Sequence, residues 1–265
     1  MSWILLTNDD GPESPALLPF ARALSPHHDL RVTVPDRERS WIGKAITRFD
    51  PVEVSRDRRD GVEIWTTSGY PADGVQLAIH ALFDEPPRLV VSGINLGYNH
   101  GAGFLLSSGT VGAAFEARLS GIPAVAFSTG IMTGDYRAWR THAASAAARD
   151  DWERLAALCT GLLAECEASG LLDLADVISI NLPYDADEGT PRRVTSVAQV
   201  GYDRLFRRVG GTAFAHDFAG GFVEFAPLDG SDVQAAHDDR ISITPLRLPG
   251  TIELPEELRA RLERR

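Results

Sequence analysis

The stretch Trp3-Ile4-Leu5-Leu6-Thr7-Asn8-Asp9-Asp10-Gly11 decides how this chain is read. Trp3–Thr7 is an uncharged, mostly apolar run cut off by an acidic turn, the pattern of a strand buried on both faces. Ser14-Pro15 follows as a helix cap with proline at the first helical position. Leu17, Leu18, Phe20, Ala21 and Leu24 then supply one apolar helix face.

The same alternation continues outward. Residues 30–34, 62–67, 88–92, 122–127 and 177–182 read as strands, and 71–83 and 110–119 as helices. Residues 136–169 read as one or two alanine-rich helices. Strands alternating with helices predict an α/β fold, a Rossmann-like three-layer α/β/α sandwich with a mainly parallel sheet. Such sheets bind ligands at the carboxyl ends of their strands. The polar clusters fall at those ends: Asn8-Asp9-Asp10, then 36–40, then 92–99.

Beyond residue 185 the texture changes to short strands at 194–200, 212–217 and 222–225, separated by Gly210-Gly211 and Gly220-Gly221. A further strand is expected at 241–244 and a charged helix at 256–264. The expected organisation is therefore an α/β catalytic core over 1–185, a β-hairpin extension over 186–250 with one strand returning to the core, and a terminal helix over 251–265. A hairpin with little core of its own packs on the main domain or on a second subunit.

Composition narrows the function classes. A net charge of −11 argues against a nucleic-acid polymer or an anionic membrane as partner, since both need a basic footprint. No run reaches the roughly 20 apolar residues of a membrane span, and the opening residues lack a basic signal-peptide region. Cys159 and Cys166, seven apart in a helical stretch, share a face and read as buried thiols of a cytoplasmic protein.

Four clusters carry candidate chemistry. The adjacent carboxylates Asp9 and Asp10 repel unless a cation or a shared proton compensates, so Asn8-Asp9-Asp10-Gly11 reads as a hard-metal site or as an ordinary Asp-Gly turn. Arg37-Glu38-Arg39-Ser40 runs on to Gly43-Lys44, which lacks the spacing of a phosphate-binding Walker loop. Ser92-Gly93-Ile94-Asn95-Leu96-Gly97-Tyr98-Asn99-His100-Gly101 combines neutral oxygen donors with glycines, differs from the dinucleotide fingerprint, and is expected to have no helix directly after it. His100 within it is a substrate contact or, on the blander view, a solvent-exposed loop residue. Ser107-Ser108-Gly109-Thr110 precedes a helix, a place that suits a phosphate or plain capping.

In this order the clusters resemble the SurE family of nucleotidases. The resemblance rests on Asn8–Gly11, on Pro35-Asp36-Arg37-Glu38-Arg39-Ser40, and loosely on Tyr70-Pro71-Ala72-Asp73. Ser92-Gly93-Ile94-Asn95-Leu96-Gly97-Tyr98-Asn99 and Ser108-Gly109-Thr110-Val111-Gly112-Ala113-Ala114 extend it. Ile180-Asn181-Leu182-Pro183 and Ile241-Ser242-Ile243-Thr244-Pro245-Leu246 carry it to about residue 251. It implies one divalent ion, Mg²⁺ or Mn²⁺, held by Asp9, Asp10, Ser40 and Asn95. Asn99 and the Ser108-Gly109-Thr110 turn would contact phosphate, with Asp9, Asp10 and Asn99 catalytic. The implied activity is hydrolysis of nucleoside 5′- and 3′-monophosphates and, in some members, short polyphosphate, by a homodimer or homotetramer joined through C-terminal hairpins.

The chain departs from the family pattern in places that bear on substrate preference. Trp41 replaces the glycine usual after the loop serine, Gly74 stands where cysteine is common, and Glu13-Ser14-Pro15-Ala16 replaces the usual Ala-Pro-Gly text. Residues 102–107 run one residue longer and lack the family's acidic residues. Two rival readings remain: an aspartyl-phosphate enzyme with Asp9 as nucleophile, which adjacent aspartates suit poorly, and a nucleotide-binding protein without turnover.

Overall fold

A computed structural model describes residues 2–217 and 222–263. The first half runs β1 (Trp3–Thr7), α1 (Leu17–Leu24), β2 (Asp29–Pro35), β3 (Val54–Arg59), β4 (Val62–Thr67), α2 (Pro71–His80), β5 (Leu89–Leu96), α3 (Gly101–Ser107) and α4 (Gly109–Leu119). Next come β6 (Ala124–Gly130), α5 (Tyr136–Ala143), a 3-10 turn at Ala146–Ala148, α6 (Arg149–Ala168), α7 (Leu171–Leu174) and β7 (Val177–Pro183). The remainder is β8 (Arg192–Val194), β9 (Val200–Tyr202), β10 (Phe206–Gly210), β11 (Ala213–His216), β12 (Phe222–Glu224), α8 (Asp232–His237), β13 (Ile241–Leu246) and α9 (Glu256–Leu262).

One sheet orders its strands β3-β4-β2-β1-β5-β6-β7-β13-β8. From β4 to β7 every neighbouring pair is parallel. The outer β3 and the returning β13 are antiparallel to β4 and β7, and β8 lies parallel to β13. The chain moves outward from β1 to β2 and β4, then crosses to β5 on the other side of β1. That reversal is a topological switch point, where the strand ends splay and leave a crevice.

Alternation along β1 fixes the layers. Ile4 and Leu6 pack with Leu17, Phe20 and Leu24 of α1 and with Trp152 and Leu155 of α6. Trp3 and Leu5 face the opposite way, against Val75 and Ala78 of α2 and Val111 and Ala114 of α4. Phe20 meets Phe127 of β6 edge to face, with ring centroids 5.7 Å apart. The small residues of α4 let it lie close to its neighbours: a Cβ added at Gly112 would sit 2.5 Å from the Gly43 carbonyl oxygen.

Several sequence expectations need correction. The first helix starts at Leu17 with Ala16 at its cap. Ser14 is not the cap, because its N–H closes a turn onto the Gly11 carbonyl (3.2 Å). The strand expected at 88–92 continues to Leu96, and α3 does follow the glycine-rich segment directly, contrary to expectation. Two glycines in seven residues hid that helix. The strand expected at 194–200 survives only at its ends, as β8 and β9. Between them Ser196 donates to the Gly230 carbonyl (3.1 Å) and Ala198 to Asp232 (2.9 Å), so this backbone is held by the start of α8 rather than by a strand. The Arg- and Asp-rich β3 was not expected; it is an exposed edge strand.

Residues 136–169 divide into α5 and α6, and the last helix ends at Leu262. The Gly220-Gly221 turn and the end of the expected terminal helix at Arg264 lie outside the described residues. Cys159 and Cys166 are free and buried. Among the described residues, no helix is long and apolar enough to cross a membrane.

Candidate active site

The acidic turn sits at the switch point, and short bonds draw three other segments onto it. Asn8 shapes the turn: its side chain accepts the Gly11 N–H (3.0 Å) and donates to the Gly11 carbonyl (3.1 Å). Gly11 has φ +83°, and a Cβ there would fall 2.9 Å from the Arg37 backbone, so the two loops touch where only glycine fits. Arg39 N–H donates to the Asp9 carbonyl (2.7 Å), which places Ser40 next to the turn. From β5, Leu96 N–H donates to Asp10 Oδ2 (3.3 Å) and brings Asn95 alongside. From α4, Thr110 Oγ1 donates to Asp9 Oδ1 (2.6 Å).

The start of α4 abuts the acid pair. Ser108 caps this helix, its hydroxyl accepting the Val111 N–H (3.0 Å). A Cβ on Gly109 would lie 2.8 Å from Asp9 Cβ and Oδ2, so glycine permits the helix N-terminus to reach the carboxylate. The β5–β6 register shifts between Ser92 and Asn95. An irregularity of this kind redirects the side chains that follow it.

Asn99 is bound on the other side of the crevice. Its N–H donates to Asn181 Oδ1 (2.8 Å) and its amide to Ser128 Oγ (2.7 Å), which ties it to β7 and β6. His100 is buried rather than solvent-exposed, stacked on Tyr98 with centroids 4.7 Å apart and with Nε2 3.4 Å from Met132 Sδ. Burial lowers its pKa. Lys44 pairs with Glu116 of α4, and Asp73 accepts Thr47 Oγ1 (2.6 Å) and the Tyr70 N–H (2.8 Å). Both residues therefore anchor the 43–47 loop.

Sequence reasoning assigned no role to the pair Glu38 and Arg140. Arg140 of α5 donates to Glu38 Oε1 (2.6 Å), and Ser40 Oγ donates to the same oxygen (2.6 Å). Ser40 thus gives its proton to Glu38, which leaves the lone pairs of its oxygen available as a ligand. Burial raises the Glu38 pKa, but the bonds from Ser40 and Arg140 outweigh it and hold the carboxyl below its ordinary range.

Electrostatics separate the two aspartates. Burial raises Asp9 to about 6 even against the Thr110 bond, which favours the charged form. Burial and the neighbouring Asp9 charge together push Asp10 to about 8. Two carboxylates held this way are compensated by a proton or by a cation. Among the described residues no three His, Cys, Asp or Glu side chains gather to hold a metal. The donor set is two carboxylates plus the neutral oxygens of Ser40 and Asn95. That set fits Mg²⁺ or Mn²⁺, which accept few protein carboxylates and complete their shell with water and substrate phosphate.

A mainly parallel α/β sheet with acidic and hydroxyl groups gathered at its switch point defines a protein of the three-layer α/β class, with polar groups where such sheets bind ligands. The sequence model of the family described as Survival protein SurE matches residues 4–204, and the chain belongs to that family. The protein called 5'-nucleotidase SurE from Methanocella arvoryzae is 32% identical over 251 residues, covering 94% of this chain and 92% of that protein. The 5'-nucleotidase SurE of Methanothermobacter thermautotrophicus is 38% identical over 182 residues, 68% of this chain and 67% of that protein. The crystal structure of the SurE protein from Aquifex aeolicus superposes with a TM-score of 0.72 at 28% identity, covering 94% of each chain. That likeness supports the α/β assignment and the added C-terminal strands.

Proposed function

We propose that this protein is a metal-dependent phosphomonoesterase that releases phosphate from nucleoside 5′- and 3′-monophosphates, and from short polyphosphate. The observation that carries the reading is the Asp9–Asp10 pair, Asp9 buried and Asp10 half-buried, meeting the Ser108-Gly109-Thr110 helix start at the switch point of a SurE-family sheet. Membership of a family whose relatives are named 5'-nucleotidase supports the substrate class.

Asp9, Asp10, Ser40 and Asn95 would hold one divalent ion. A cation bound there supplies Lewis acidity to a phosphoryl oxygen and to the attacking water. The chain's own groups do the rest. Thr110 fixes Asp9 in one rotamer, and Glu38, held by Arg140, orients the Ser40 hydroxyl. Asp9 or Asp10, kept charged by the cation, would accept the proton of the attacking water. The N–H groups at the start of α4, with the helix dipole behind them, and the Asn99 amide stabilise charge on the transferring group.

Assembly into a homodimer or homotetramer through the β10–β11 hairpin belongs to the same proposal. Among the described residues the strands of the hairpin pair only with each other, and they expose Phe206 (56%) and Phe214 (55%), apolar surface that a second copy would cover. A cytoplasmic location fits the free, buried Cys159 and Cys166.

Hydrolysis of p-nitrophenyl phosphate by the pure protein, with and without Mg²⁺ or Mn²⁺, tests the enzymatic reading. Metal-dependent release supports it. Absence of release at any metal concentration favours a nucleotide-binding protein without turnover.

A further inference from the structure

Trp41 is a bulky residue in a left-handed backbone conformation, with φ +60°. An L residue is strained there, and glycine is not. It directly follows Ser40, and the residue is 37% exposed. It stands 5.7 Å from Phe104, 5.5 Å from Tyr202 and 4.9 Å from His216, centroid to centroid. Phe104 in turn meets Tyr202 at 5.8 Å and Phe222 at 5.4 Å. Two departures from the family pattern, Trp41 and the 102–107 segment that carries Phe104, therefore meet in one aromatic wall.

This wall adjoins the crevice at two points of the chain. Trp41 is next to Ser40, and Tyr202 lies with its hydroxyl 3.2 Å from that of Ser107, the residue before Ser108. A ligand whose phosphate sits at Ser108–Thr110 would carry the rest of its body toward uncharged, planar side chains. We propose that the Trp41 wall is a nucleobase platform, which stacks the base of the substrate while the crevice holds its phosphate. The proposal rests on the phosphomonoesterase reading and specifies its substrate as a base-bearing phosphate ester. Stacking accepts any base through its π face, so the platform selects base-bearing over base-free esters rather than one nucleotide over another.

The test compares AMP with ribose 5-phosphate on the full-length protein with Mn²⁺. Trp41→Gly relieves the backbone strain, so misfolding is not expected, and Trp41→Phe keeps a stacking face. In Trp41→Gly the ratio of kcat/KM for AMP to that for ribose 5-phosphate should fall about tenfold, the size of one lost base–aromatic stack, and Trp41→Phe should restore most of it. An unchanged ratio overturns the platform. So does a variant that alters only the subunit number on size-exclusion chromatography, which would give the wall to a subunit contact. Calorimetric titration of both ligands reads binding apart from turnover. Absence of hydrolysis therefore contradicts the phosphatase reading alone, and AMP and ribose 5-phosphate affinities that respond equally to Trp41→Gly contradict the platform alone.

Discussion

Thr110 donates its hydroxyl to Asp9 Oδ1 at 2.6 Å, joining the start of α4 to the end of β1 between residues 101 apart in sequence. The bond holds a buried carboxylate in place and favours its charged form. Thr110→Val should destabilise the fold by about 1–3 kcal/mol, the usual result of stranding a buried acceptor. It should also raise the Asp9 pKa further. Thr110→Ser keeps the donor and should stay near wild type. Denaturant unfolding and phosphate release measured on both variants check this.

Asp10→Asn removes the acid with the largest upward shift and its repulsion with Asp9. Phosphate release should fall by about 10³-fold, the scale of losing a group that serves the transition state. In EDTA the thermal midpoint should hold at neutral pH and rise above about pH 8, where the Asp10 carboxyl would otherwise ionise beside Asp9. Activity assays beside thermal unfolding of the same preparation separate the two effects.

The acid pair makes metal-free stability depend on pH in a definite sense. Both folded-state pKa values lie above the ordinary 3.8, at about 6 for Asp9 and about 8 for Asp10. A raised carboxyl contributes stability fully below its unfolded pKa and loses it as pH climbs through the folded pKa. In EDTA the thermal midpoint should therefore fall between about pH 4 and about pH 8. Mn²⁺ at pH 8 should recover several degrees, with proton release on binding. Differential scanning calorimetry across this range, with and without metal, is the check.

Gly109→Ala places a methyl 2.8 Å from Asp9 Cβ and Oδ2, and 3.2 Å from the Arg39 carbonyl oxygen. Overpacking of this kind destabilises by about 1–3 kcal/mol. Because the displaced group is Asp9, kcat should drop more than the stability change accounts for. Steady-state kinetics well below the variant's melting midpoint measures that excess.

The sequence was most legible where local pattern and tertiary role coincide. Trp3–Thr7 is buried on both faces, so its apolar run and the acidic turn after it announce a central strand and its carboxyl end. Asp9 and Asp10, and the clusters that hold Ser40 and Asn95, stood out because polar residues gather where strands stop; Ser108 stood at an expected helix start, and the SurE resemblance singled out Ser40 and Asn95 within their clusters. Arg140 did not, since its partner Glu38 is 102 residues away and neither belongs to a helix or strand pattern that points to the other. The α3 helix was obscured by its glycines and β3 by its charges, features that tertiary contacts override. Trp41 was visible as a departure from the family, but only the fold shows it beside Phe104 and Tyr202.

The most direct measurement is phosphate release by the purified protein from a panel of nucleoside 5′- and 3′-monophosphates and short polyphosphate, in Mg²⁺, in Mn²⁺ and in excess EDTA. The account predicts release from nucleoside monophosphates with metal, its loss in EDTA and its return when metal is restored. Undiminished release in EDTA, or none from any nucleotide with either metal, would contradict it.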